Sequence, residues 1–186
     1  EDPSQWLWLH KRWKHTPARR VLVLSDGKLG HLKQSLAVVQ ALKEHSDGVQ
    51  ERVIEVRYRN RLGRVVALAY AAMPWVPGRW WAMRWALTRP CYAQLANAYA
   101  NIVVSCGSST APINVLMSRE NRAKSVVVMD PAPLPLRRFT LAFVPAHDRP
   151  KPRANVVQTF GALSVAPNGS LASDGERLTR HPRFRA

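Results

Sequence analysis

The stretch RVLVLSDGKLGHLKQSLAVVQAL, residues 20–42, decides the fold class. Its first six residues form a short unbroken apolar run, the kind buried on both faces of a parallel sheet. Asp26-Gly27 interrupts the run. Leu32, Leu36, Val39 and Leu42 then recur at helical spacing. Strand, tight turn and helix make half of a βαβ unit, and the pattern repeats downstream. Residues 53–58, 101–105, 125–129, 141–144 and 155–160 read as further strands. The turn Cys106-Gly107-Ser108-Ser109 follows one of them, and Thr110 is placed to cap a helix running through Met117. Asp130-Pro131 ends another. Six of the 14 Pro lie between 131 and 152, which predicts extended connections there. The expected fold is α/β, a Rossmann-like parallel sheet with helices flanking both faces.

A chain of 186 residues suits one domain of ordinary size with attachments. With 46% hydrophobic residues and 9 Gly, collagenous, low-complexity and wholly disordered chains are excluded. Two Cys exclude a disulfide framework and point to a reducing compartment; no metal site is expected. No apolar run approaches the ~20 residues that span a bilayer. The longest, residues 65–76, contains Pro74. The first residues lack the basic-then-apolar order of a signal peptide.

The formal charge is +16 and the pI about 11.2, so an anionic partner is expected. The excess is concentrated. Residues 52–89 hold eight Arg against one acid, Glu55, and four of the seven Trp. Trp and Arg together favour a membrane–water interface, and each basic residue adds roughly 1 kcal/mol near an anionic bilayer. Trp75, Arg79, Trp80, Trp81, Arg84 and Trp85 are the expected membrane contacts. The competing reading is an internal helical hairpin with Trp in the core and Arg outside. Nucleic acid is a weaker partner, since no binding motif accompanies the charge.

Ligands of open parallel sheets bind beyond the carboxyl ends of the strands, and four strand ends carry polar residues. At Ser25, Asp26, Gly27, Lys28, Gly30 and His31, glycines permit a tight turn, and the helix that follows offers free N–H groups to phosphate. Lys28 adds charge and His31 can donate a proton. The plainer alternative is a βα turn with a solvated Lys, and the loop is neither a P-loop nor GxGxxG. Gly107, Ser108, Ser109 and Thr110 form a second turn of small donors, suited to an anion or to helix capping. Asp130, with Arg137 beyond it, is a third. His147-Asp148 is a fourth, placed for acid–base work or for a polar loop. Asp26 and His31 are the candidate catalytic pair, and the rest, with Gln34, are candidate phosphate or acceptor contacts.

The blocks SDGKLGHLKQSL at 25–36, VSCGSSTAP at 104–112, VVVMDPAPLPLRRFTLAFVPAHDR at 126–149 and VVQTFGAL at 156–163 resemble the ELM1-like family, named for a mitochondrial fission factor. The resemblance covers about residues 20–166. It implies the first half of a GT-B-like architecture, two Rossmann-like domains facing a cleft, as in many glycosyltransferases. It also implies a peripheral location at the cytoplasmic face of the bacterial inner membrane and a lipid-linked or phosphorylated acceptor. A nucleotide-sugar would belong to a longer parent chain, with its site largely on the second domain, so the 186 residues alone are expected to be inactive and to hold no cofactor. A non-catalytic membrane-surface adaptor is the alternative. Residues 1–19, rich in Trp and basic groups, resemble the C-terminal tail of lipid A biosynthesis lauroyl/myristoyl acyltransferases. Residues 167–186 read as a linker or the start of a second domain. Together these imply a piece of a fusion.

Overall fold

Six short strands pair in parallel, in the order β2-β1-β3-β4-β5-β6. The structure, a computed structural model, describes residues 19–73 and 77–163. The strands are β1 (Arg19–Ser25), β2 (Val49–Glu55), β3 (Ile102–Cys106), β4 (Lys124–Val128), β5 (Leu141–Pro145) and β6 (Val156–Thr159). Five helices connect them: α1 (Leu29–Glu44), α2 (Arg61–Ala72), α3 (Arg79–Ala86), α4 (Arg89–Ala96) and α5 (Gly107–Asn121). The α/β class and the parallel sheet read from the sequence are what the chain adopts. Residues 1–18, Trp75 and residues 164–186 lie outside the described residues.

Period-two alternation divides each buried strand between two cores. Leu22, Leu24, Val103 and Val127 face one side, where they join buried residues of α2 to α5. Val21, Val23, Val104, Val126 and Val128 face the other, where they meet Val38 and Val39 of α1. The layers are unequal. The β4–β5 and β5–β6 connections hold only single 3-10 turns, at Leu136–Arg138 and Ala146–Asp148. This matches the proline-rich reading of 131–152. As a result, the α1 side of β4 and β5 is left as an apolar groove of about 700 Å³, walled by Val38, Leu42, Ile102, Val126, Phe143 and Leu163.

Two expected boundaries move. The second strand lies at Val49–Glu55, not 53–58. It is an edge strand in which Ile54 alone is buried, so its first half carries no apolar signal, and its place comes from backbone pairing with β1. Thr110 is not a cap: α5 begins at Gly107, and the Thr110 hydroxyl donates to the Cys106 carbonyl from within the first turn (3.0 Å). Helix α5 is buried on nearly every side. Its Asn114 amide donates to Ser105 Oγ and to the Val126 carbonyl (both 2.8 Å), and its Oδ1 accepts from Ser118 Oγ (3.0 Å).

The Arg/Trp stretch folds as α2 and α3, packed where Gly63 meets Ala86. A Cβ at Gly63 would stand 2.4 Å from the Ala86 carbonyl oxygen and 3.0 Å from its Cα. Gly to Ala inside a helix ordinarily stabilises by about 1 kcal/mol. Gly63→Ala is expected to do the reverse, lowering stability by about 1–3 kcal/mol through overpacking against backbone. Urea denaturation of the two proteins measures the sign.

Candidate functional site at the β1–β3 crevice

Strand order reverses direction at β1. The chain steps outward to β2, then returns to place β3 on the other side of β1. Helix α1 leaves β1 toward one face and α5 leaves β3 toward the other, so a crevice opens between the two strand ends. Ser25-Asp26-Gly27-Lys28 and Cys106-Gly107-Ser108-Ser109 both run into it. Neither helix start is capped by a side chain: Lys28 and Cys106 occupy the N-cap positions without a side-chain hydrogen bond. First-turn N–H groups without intrahelical partners and the positive end of each helix dipole therefore border the crevice.

Asp26 is the hub. Its Oδ2 lies 2.9 Å from His31 Nδ1 and accepts a hydrogen bond from Ser109 Oγ, also at 2.9 Å. Its Oδ1 accepts from the Lys28 amide at 3.2 Å. The side chain is 9% exposed and that of His31 is 24% exposed. Burial pushes the Asp26 carboxyl upward, but the hydrogen bonds from Ser109, His31 and Lys28 outweigh it, so the acid lies below its ordinary value. An aspartate on Nδ1 fixes the tautomer of a neutral imidazole, leaving Nε2 as an acceptor. His31 Nε2 has no protein partner among the described residues. Ser109 is bonded to the aspartate and not to the imidazole, so these three residues do not form a nucleophilic triad.

The glycines differ in their reasons. Gly27 has φ 84° and Gly107 φ 73°, both in the left-handed region. A Cβ on Gly107 would meet His31 Cε1 at 3.3 Å, so this position also leaves room for the imidazole. Gly30 has open space beyond its Cα; it neither makes the turn nor relieves a contact, and its lack of a side chain keeps the first turn of α1 uncovered. Ser25 Oγ accepts from the Gly27 amide (3.1 Å), which tightens the same turn.

The other predicted residues are spread along the strand ends. Gln34 reaches from α1 to Met129 Sδ (3.6 Å), at the end of β4. Asp130 Oδ1 accepts from the Ala132 amide (3.1 Å), closing its own turn. Arg137 is exposed on the 3-10 turn before β5. His147 and Asp148 lie beyond β5, 3.5 Å apart, with His147 71% exposed. No hydrogen bond or ion pair joins any of these five to Asp26 or His31. Cys106, buried in the core on the α1 side, stays a thiol: burial and the Asp26 charge push it up to about 12. No cluster of three His, Cys, Asp or Glu side chains gathers among the described residues.

Two neighbours escaped the sequence reading. Tyr58 Oη donates to the Ser109 carbonyl (2.9 Å), and burial raises its phenol. Glu55 Oε1 would lie 3.2 Å from a Cβ on Gly27, and Glu55 binds Arg57 through both carboxylate oxygens (3.1 Å each). Tyr58 had a sequence signal only as a strand-former at the end of an apolar run.

The predicted membrane contacts separate. Trp80 packs against the core and meets Tyr92 edge-on, ring centres 6.1 Å apart. Arg79 Nε donates to Glu120 Oε1 at 2.6 Å, tying α3 to α5. Trp81 (62% exposed), Trp85 (39% exposed) and Arg84 face outward. Among the described residues no helix is long and apolar enough to cross a membrane.

The family model for Mitochondrial fission ELM1 matches residues 29–185, and the chain belongs to that family. No curated protein and no solved structure gives a significant match. The match takes in most of the blocks quoted above and starts after the tail of residues 1–18.

Asp26 holds its lowered acidity only in the folded chain, so its charged form contributes stability above the unfolded value. That contribution is lost as pH falls through the folded value. Asp26→Asn is expected to cost about 2 kcal/mol at neutral pH. The gap between wild type and variant should stay level down to about pH 5 and close below it. Denaturant midpoints recorded across that range test the claim.

Proposed function

From membership of that family as premise, we propose that the chain belongs to a glycosyltransferase-type enzyme. It acts on a lipid-linked or phosphorylated acceptor at an anionic membrane surface, the cytoplasmic face of the bacterial inner membrane. The observation that carries this reading is the Asp26–His31 pair at the strand-order switch, between two uncapped helix starts. In this mechanism His31 Nε2 takes the proton of an acceptor hydroxyl as its oxygen bonds the anomeric carbon of a sugar-nucleotide donor. The anomeric C–O bond to the donor phosphate breaks, and the nucleotide departs with that oxygen and its charge. Asp26 holds the imidazole in place and stabilises the imidazolium that forms. The free N–H groups around Gly107 and Ser108, with Lys28, hold phosphate oxygens. A second Rossmann-like domain, in the GT-B manner, supplies the donor site and closes the crevice.

Contact with the membrane falls in this reading to Trp81, Arg84 and Trp85, since Trp80 and Arg79 are engaged inside the protein. The amphipathic basic surface supports it.

The full-length natural protein is expected to gain thermal stability with at least one member of a panel of UDP- and GDP-sugars. His31→Gln should lower transfer by about 10²- to 10⁴-fold without lowering the melting temperature. The absence of any shift across the panel would overturn the transferase reading in favour of a non-catalytic membrane-surface adaptor.

A further inference from the structure

Three arginines converge on one hollow, with no ion-pair partner among the described residues. Arg59, Arg84 and Arg89 line, with Tyr92, a hollow of about 380 Å³. A second hollow of about 320 Å³ shares Arg59 and Arg84 and is completed by Trp81 and Trp85. The ion pairs of the described residues use Asp26, Glu51, Glu55, Glu120 and Asp148, and none reaches these three guanidinium groups. Three structural elements bring them together. Arg59 follows β2, where its amide donates to the Ala86 carbonyl (2.9 Å). Arg84 stands on α3 and Arg89 opens α4, whose N-cap, Thr88, makes no side-chain bond to it. Tyr92 is held edge-on against Trp80, ring centres 6.1 Å apart, which fixes one wall of the hollow to the core.

Like charges gathered without an acid repel one another, and an anion entering between them relieves that cost. Guanidinium forks match phosphate oxygens in pairs, and three forks exceed what one carboxylate can accept. The adjoining hollow adds exposed indoles, which suit the headgroup level of a bilayer. Leu62 and Val65 are also exposed on the neighbouring α2. We propose that the Arg59–Arg84–Arg89 hollow is a binding site for the phosphomonoester headgroup of a membrane lipid, with Trp81 and Trp85 inserted beside it. The proposal rests on the membrane reading above and gives it a specific ligand. Tyr58, the residue before Arg59, bonds the Ser109 carbonyl (2.9 Å), so the loop that carries Arg59 is tied to the α5 start at the crevice.

Flotation with the 186-residue chain tests it, using phosphatidylcholine vesicles doped with phosphatidic acid or, at matched surface charge, with phosphatidylserine. Binding to the phosphatidic acid vesicles is expected to be about tenfold tighter. The triple variant Arg59→Gln, Arg84→Gln, Arg89→Gln should lose that preference while keeping its melting temperature. A control with the same charge change elsewhere, Lys33→Gln, Lys151→Gln, Arg153→Gln, should keep it. Equal binding to the two charge-matched vesicles would overturn the site and leave general membrane attraction standing. Binding to neither would overturn both. Competition by glycerol 3-phosphate as strong as that by the lipid would overturn the lipid assignment in favour of a soluble phosphate ligand.

Discussion

Asn114, through its buried amide, ties helix α5 to strands β3 and β4. It is fully buried, and its amide is satisfied only where Ser105 Oγ and the main-chain carbonyls of β3 and β4 stand within reach. A buried amide left unpaired costs about 1–3 kcal/mol per group. One rotation of α5 about its own axis avoids that cost. The rotation fixes where α5 begins, which sets Gly107 beside His31 and Ser109 against Asp26. The crevice geometry therefore depends on a hydrogen-bond network two turns along the helix.

The basic excess resolves into two populations. Some arginines serve as internal struts: Arg79 on Glu120, Arg119 on the Met73 carbonyl and Arg138 on the Ala72 carbonyl all tie the helical layer to its neighbours. Burial and the neighbouring Arg138 and Arg79 lower the guanidinium of Arg119. Arg59, Arg84 and Arg89 make no such side-chain bond among the described residues. Sequence position does not separate the two kinds, because the acids and carbonyls that occupy the struts come from distant elements.

Legibility in the sequence followed burial. Strands β1, β3 and β4 are apolar because both of their faces are covered, and the six residues RVLVLS declare themselves. Strand β2 does not, because five of its seven residues are exposed. Helix α5 shows no amphipathic period because it is buried all round, so only its start and stop residues mark it. At the site, Asp26 and His31 were readable from their five-residue separation across a strand–turn–helix. Ser109 as the third partner was readable as a turn residue but not as a partner of Asp26. That contact needs β3 to lie beside β1, an order which local patterning does not encode. Tyr58 and the arginine hollow depend on the same non-local placement.

The groove beside α1 bears on how the domain comes apart. Among the described residues, strands β1 and β3 are clamped between two layers, whereas β5 and β6 are covered on one side and β6 is exposed or half-exposed along its length. Local opening draws on regions with few buried contacts. The sheet thus has a stiff middle at β1 and β3, where Asp26 and His31 sit, and a soft end at β6, and disorder entering from β6 crosses three strand pairings before it reaches the crevice. The Asp26–His31 contact is set apart from the β6 edge of the fold.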